Sequence, residues 1–192
     1  MLVEFLGYAA DCTVSGQLEL AGTRVSDAID ANGELTVRNA TLRSLLGTRE
    51  LFEPELVLER DELLAVEAAG PAGEAAKRIC TVRHRLRVEL GPYVVLGQPH
   101  VLPGASPRRS LRARRRIVPL TDASILVPSD AGLETRQTRV LMVNASHIDA
   151  ASVIGTDDSP WEVKTLLTTP SLGFPATTDG SGLQLALPLT RR

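Results

Sequence analysis

Polar and apolar residues alternate in two separate segments of this chain. One is CTVSGQLEL at positions 12–20, and the other is VRHRLRVEL at positions 82–90. In both, every second position carries an apolar residue, a glycine or, at position 84, a histidine. A two-residue period is typical of a β-strand with one buried face. Each segment therefore predicts one strand of an antiparallel sheet.

Short segments recur in the same order along the two halves of the chain. The pair GQ occurs at 16–17 and again at 97–98, and VRNATL at 37–42 is followed later by LTDASI at 120–125. The segment LVLERDELLAV at 56–66 likewise matches LMVNASHIDAA about 85 residues further on. A nearly constant offset with small drift predicts a duplicated unit of roughly 70 residues.

The same order of elements is expected in each unit. Third strands are predicted near 35–42 and 117–127, and fourth strands through 55–67 and 139–154, with one short helical turn at 26–30. Several short strands separated by glycine-containing turns favour a small, curled antiparallel sheet or barrel.

The sequence predicts an all-β protein made of two tandem small antiparallel barrels, Sm-like or SH3-like, with a C-terminal tail. The first barrel is assigned to 1–67 and the second to 82–155. The Gly- and Ala-rich segment 68–81 is the expected linker, and residues 156–192 form the tail. A strand at 182–187 could add to an exposed edge, or the tail could stay partly ordered.

The order of elements resembles an Sm-like barrel. Gly16 and Gly97 stand where that family has a second-strand glycine, and LTDAS at 120–124 is similar to its third-strand motif. VRNAT at 37–41 is a looser copy. The chain also resembles uncharacterised bacterial proteins that carry a Leu-Thr-Asp-Ala strand. The resemblance implies bent five-stranded units.

The closing motif departs from the Sm-like pattern. RNA-binding members have a cation beside a glycine there, whereas this chain has Arg60 followed by Asp61 in the first unit. The second unit has Asn144 followed by Ala145. The resemblance therefore implies the fold without the family's RNA site.

Charge is distributed unevenly along a chain whose net charge is only −2. Residues 1–80 carry 14 acidic and 7 basic side chains, whereas residues 81–155 carry 5 acidic and 11 basic ones. Such asymmetry between halves indicates a charged partner or a contact between opposite halves. Opposite charges on repeated units favour head-to-tail contact over pairing of like with like.

The densest basic cluster is RRSLRARRR at 108–116, a predicted loop between the second and third strands of the second unit. Its candidate partner- or phosphate-binding residues are Arg108, Arg109, Arg112, Arg114, Arg115 and Arg116. Such a cluster attracts acidic protein or phosphate. No aromatic residue interleaves with it, which disfavours single-stranded nucleic acid. The alternatives are a solvated loop or one neutralised by the acidic first unit.

Other chemically interesting residues have simpler structural explanations. His84 lies on the apolar side of its strand, Cys12 is expected as a small buried residue, and Asp122 is expected to bond local backbone at a turn or strand end. The three histidines lack short metal-ligand spacing. No catalytic residue, metal site or cofactor is predicted.

The overall expectation is a non-catalytic interaction or assembly module. Its partner would be another protein or a second copy, and the protein would lie in the cytoplasm because no export signal or membrane-spanning run is evident. An RNA-binding regulator that uses residues 108–116 is the first alternative. An enzyme of unknown reaction is the second.

Overall fold

The computed structural model describes residues 1–20, 25–31, 33–70, 81–112, 116–130 and 132–156. The first half contains β1 (Leu2–Tyr8), β2 (Cys12–Glu19), α1 (Val25–Ala31), β3 (Glu34–Ser44), β4 (Glu50–Glu59), a 3-10 turn (Arg60–Glu62) and β5 (Ala65–Ala68). The second half contains β6 (Val82–Leu90), β7 (Tyr93–Val101), α2 (Pro107–Arg112), β8 (Ile117–Ser129), β9 (Gly132–Asn144), a 3-10 turn (Ala145–His147) and β10 (Ala150–Thr156). The predicted all-β class is confirmed.

All ten strands belong to one antiparallel sheet, in the order β10-β6-β7-β8-β9-β5-β1-β2-β3-β4. The first half thus follows the order β5-β1-β2-β3-β4, and the second follows the corresponding order β10-β6-β7-β8-β9. The two halves meet where β5 pairs with β9. The sheet is therefore continuous from one half to the other.

A left-handed residue bends the third strand at the corresponding place in each half. Asn39 has a φ of 51° and Asp122 has a φ of 48°. The register with the second strand shifts at both places, so an extra residue is inserted in β3 and in β8. Asn and Asp tolerate this conformation better than most residues. Asp122 is therefore a bulge residue inside β8, and the predicted position at a turn or strand end is wrong.

The glycine predicted in each second strand faces the bent third strand. A Cβ atom on Gly97 would lie 2.8 Å from the Leu120 Cβ, and one on Gly16 would lie 2.6 Å from the Val37 Cγ1. Real Cβ atoms do not approach so closely. The curvature of each sheet segment therefore requires glycine at these two positions.

Each of the two hydrophobic cores contains side chains from both halves of the chain. The core of the first half includes Ile117 and Met142 of the second half. The core of the second half includes Tyr8, Leu45 and Leu64 of the first half. Because the buried apolar area is shared, each half completes the core of the other.

Two sequence-based predictions about elements are wrong. Each predicted fourth strand is divided by a 3-10 turn, so β4 and β5, and likewise β9 and β10, are separate strands. The predicted loop at 108–116 begins as α2, in which Leu111 is 1% exposed. Pro107 at its first position was an available helix-start signal.

Residues 71–80 of the linker and 157–192 of the tail lie outside the described residues. No helix in the described ranges is both long enough and apolar enough to cross a bilayer.

Replacing Gly97 with Ala should lower the free energy of unfolding by about 1–3 kcal/mol, because the added methyl group overlaps Leu120. Urea denaturation followed by circular dichroism measures the change. Gly33→Ala is the matched control, since a Cβ there meets nothing within 4 Å. Equal stability of Gly97→Ala and wild type would contradict the proposed packing constraint.

Candidate interaction surfaces

The contact between the halves, termed the joint, rests on a short stretch of strand pairing. Ala65 lies opposite Val143 and Val66 lies opposite Met142. The Asn144 backbone N–H donates to the Leu64 carbonyl at 2.9 Å, and its side-chain Nδ2 donates to the Leu63 carbonyl at 3.1 Å. Asn144 is 1% exposed. It therefore satisfies buried backbone groups that would otherwise lose hydrogen bonds to water.

Ion pairs across the joint run from the basic second half to the acidic first half. The Arg116 Nη1 lies 3.3 Å from the Asp61 Oδ2, and the Arg136 Nε lies 3.1 Å from the Glu67 Oε1. His147 Nε2 donates to the Asp61 carbonyl at 2.6 Å. The Arg116–Asp61 pair is exposed and contributes little stability by itself. In all three contacts the basic group belongs to the second half and the acceptor to the first half, as the sequence predicts for a contact between halves of opposite charge.

Two buried tyrosines, one from each half, are in contact with each other. The rings of Tyr8 and Tyr93 meet edge to face, with centroids 5.4 Å apart. The Tyr93 hydroxyl donates to the Ala9 carbonyl at 2.7 Å, and the Tyr8 hydroxyl donates to the Glu67 carboxylate. Burial raises the pKa of both phenols, and the Glu67 carboxylate raises the pKa of Tyr8 further. Both phenols therefore stay protonated as hydrogen-bond donors at neutral pH.

The predicted arginine cluster is divided between two environments. Arg108 and Arg109 are exposed on α2, and Arg112 is the last residue of that helix. Arg116 lies just before β8 and pairs with Asp61, which matches the alternative of neutralisation by the first half. Arg114 and Arg115 lie outside the described residues. Within the described part of the cluster, Arg108 and Arg109 on α2 are therefore the exposed cations that are not placed at the joint.

The histidines are not brought together. His84 is half-buried on β6, and His147 is held at the joint. His100 lies between two hydroxyls, with Thr81 Oγ1 3.1 Å from its Nδ1 and Thr121 Oγ1 3.0 Å from its Nε2. Among the described residues, no group of three or more His, Cys, Asp or Glu side chains could hold a metal ion.

Cys12 and His147 line the same cleft at the joint, but the cysteine is not activated. Burial raises the pKa of the Cys12 thiol to about 11, and the neighbouring Asp11 carboxylate adds to the shift. The thiolate is the nucleophilic form of cysteine. Cys12 is therefore a poor nucleophile at neutral pH, and its half-buried position fits a packing role.

The two ends of the sheet are β4 and β10, each with a single strand neighbour within the described part of the chain. The sequence of β4, ELFEPELVLE, contains four glutamates and no basic residue. β10 carries no charge, and its neighbour β6 contains three arginines and Glu89, which pairs with Arg87. The sheet therefore has an acidic strand at one end and an uncharged strand beside a net basic one at the other. The sequence predicts exposed strand edges but does not identify β4 and β10 as the edge strands, because pairing order is not encoded in a local pattern.

Replacing Asn144 with Asp should lower the free energy of unfolding by about 1–3 kcal/mol. The substitution keeps the shape but replaces the Nδ2 donor with an oxygen that faces the Leu63 carbonyl. Guanidinium denaturation measures the loss. Asn39→Asp makes the same chemical change at an exposed bulge, where an aspartate already serves in the other half, and should have little effect. Equal effects of the two variants would contradict a special role for Asn144.

The Cys12 thiol should react slowly with iodoacetamide in the folded protein. In a Cys80→Ser variant at pH 8, we expect alkylation about a hundredfold slower than in the denatured chain, because a pKa near 11 leaves little thiolate. The native rate should rise as the pH approaches 11. Mass spectrometry of quenched samples gives the rate, and fast native alkylation at pH 8 would contradict the raised pKa.

Comparisons with known proteins provide no relative for this chain. No family model, no curated protein and no solved structure matches it. The function must therefore be argued from the joint, the two sheet edges and their charges.

Proposed function

We propose that this protein is a non-catalytic interaction and assembly module. It consists of two Sm-like or SH3-like β units, residues 1–67 and 82–155, that carry opposite charge. The observation that carries the proposal is the joint, where one half docks on the other by strand pairing between β5 and β9. The same sheet ends in two strands, β4 and β10, that each retain an open edge among the described residues.

Open edges of this kind are sites for strand addition, since they present unpaired backbone donors and acceptors. Natural proteins protect edges with charge and proline, and β4 carries Pro54 among its glutamates. The glutamates and the proline disfavour pairing of β4 with arbitrary strands, but the negative charge of β4 favours a partner of positive charge. The proposed partner is therefore a basic protein surface or a second copy of this chain.

The side chains at the joint support a structural rather than a catalytic role. Cys12 has a raised pKa, and His147 uses its Nε2 proton in a bond to the Asp61 backbone. Neither group is poised to attack a substrate or to transfer a proton. Asp122 lies in a strand bulge, where its backbone conformation accounts for its residue type.

A second candidate is an RNA-binding regulator that uses α2. The exposure of Arg108 and Arg109 favours it, because exposed guanidinium groups contact phosphate. The pairing of Arg116 with Asp61 leaves fewer cations in the cluster for phosphate, so the preferred partner of α2 is an acidic protein surface, such as β4 of a second copy.

The proposed function predicts assembly that depends on salt. Sedimentation velocity should detect species larger than a monomer at about 20 mM NaCl and should find them reduced at about 500 mM, because screening weakens contacts between exposed charges. Adding an RNA of mixed sequence at low salt tests the second candidate in the same instrument. A strict monomer at both salt concentrations, with no bound protein partner in a pull-down, would contradict the assembly module.

A further inference from the structure

The joint includes a helix as well as a strand pair. α1 packs against β8, and its Val25 and Ile29 share a buried core with Ile117 of β8 and Met142 of β9. Met142 is also one of the residues in the β5–β9 strand pairing. Seen from the first half, the joint is a surface of α1 and β5 that covers β8 and β9 of the second half.

The second half carries a surface equivalent to that of α1 and β5. α2 occupies the place of α1 between the second and third strands, and Leu111 is buried like Ile29. β10 follows a 3-10 turn as β5 does, so Ala150 corresponds to Ala65 and Ala151 to Val66. This surface of α2 and β10 covers no equivalent of β8 and β9 within the described chain.

The first half carries the surface that would be covered. Counted from the 3-10 turns, Met142 corresponds to Val57 on β4, and Ile117 at the start of β8 corresponds to Glu34 at the start of β3. Met142 is 3% exposed at the joint, whereas Val57 is 55% exposed on β4, whose outer edge has no strand neighbour among the described residues and is termed the free edge. The same structural position is thus buried in one half and uncovered in the other.

The substitutions between the halves are complementary in charge. α1 carries Asp27 where α2 carries Arg109, and the covered Ile117 is replaced at the free edge by Glu34. Glu34 lies directly opposite Glu59 in the β3–β4 ladder. Two like charges in this position repel each other, and an arginine brought near them by a partner would reduce the repulsion. Glu59 stands where the joint has Asn144, so a contact at this strand would have an ionic interaction in place of the amide hydrogen bond of the joint.

We propose that α2 and β10 of one copy dock on β3 and β4 of a second copy, in the register of the joint. Ala150 then lies opposite Leu58 of the second copy, and Ala151 lies opposite Val57. Arg109 of α2 approaches the Glu34–Glu59 pair. This inference rests on the proposed function and specifies its partner, a second copy of this chain, and the residues in contact.

The contact is heterologous, because the two surfaces that meet are different. Every copy retains one surface of each kind, so the sheet can continue from copy to copy. Pro54 does not obstruct the contact, since the joint itself uses only two facing residue pairs and the equivalents on β4 are Val57 and Leu58.

A charge exchange between two variants tests the contact. Arg109→Glu places an acid on α2, and Glu34→Lys places a base on β3; both positions are exposed. In a solution of either variant alone, the residues at positions 34 and 109 carry charges of the same sign and repel each other. We therefore expect the dissociation constant of each variant to rise about tenfold or more over wild type. In an equimolar mixture both kinds of contact join opposite charges, so assembly should return toward the wild-type level. Glu134→Lys on the distal part of β9 is the matched control and should assemble as wild type does.

A cysteine pair tests the register in a chain with Cys12→Ser and Cys80→Ser. Val57→Cys and Ala151→Cys lie at opposite ends of one sheet, so a disulfide between them can form only between copies. Oxidation should give covalent dimers and larger species on a denaturing gel. Glu53→Cys with Ala151→Cys is the control, because it lies about 13 Å further along the strand and should not be linked.

The outcomes separate this inference from the proposed function. If wild type assembles but the mixture of charge variants stays dissociated, or Glu34→Lys assembles as wild type does, the docking surface is wrong and the assembly module stands. If wild type is monomeric at low salt and the variant with Val57→Cys and Ala151→Cys forms no disulfide between copies, both are wrong. Restored assembly in the mixture together with linkage of Val57→Cys to Ala151→Cys supports the contact.

Discussion

The structure depends on the pairing of β5 with β9. This contact is short, with two facing residue pairs, yet it merges two five-stranded arrangements into one sheet. Buried backbone groups must be hydrogen-bonded, and at the joint Asn144 meets that requirement through its backbone and its side chain. Once those groups are paired, Ile117 and Met142 are buried in the opposite core. The hydrogen bonds of buried backbone groups and the burial of apolar side chains therefore stabilise the same contact.

Charge determines the direction of this contact. Arg116 and Arg136 of the second half pair with Asp61 and Glu67 of the first half. Exposed ion pairs add little stability, but they discriminate strongly between opposite and like partners. A chain with a net charge of only −2 can thus consist of two halves with large and opposite net charges. The same polarity extends to the two ends of the sheet, where β4 is acidic and β6 beside β10 is basic.

Local patterns predicted the individual elements well. The alternation at 12–20 and 82–90 became β2 and β6, and the glycines at 16 and 97 lie where the sheet bends. α2 was missed because its arginines suggested a loop, although Pro107 signalled a helix start. The 3-10 turns were missed because Arg60–Glu62 and Ala145–His147 contain no glycine or proline to mark a break in the strand. For the candidate site, the arginine cluster was found, but its division between α2 and the joint was not.

The sequence by itself determined the strand class, the recurrence of elements in two halves and the opposite charge of those halves. These properties follow from residue type and spacing, which act over a few bonds. Only the tertiary structure decided that β5 pairs with β9, which residues are buried at the joint and which strands end the sheet. Strand partners are chosen by contacts between residues about 80 positions apart, and no local period encodes that choice. The exposure of Val57 and the burial of Met142, at equivalent positions in the two halves, follow from that choice alone.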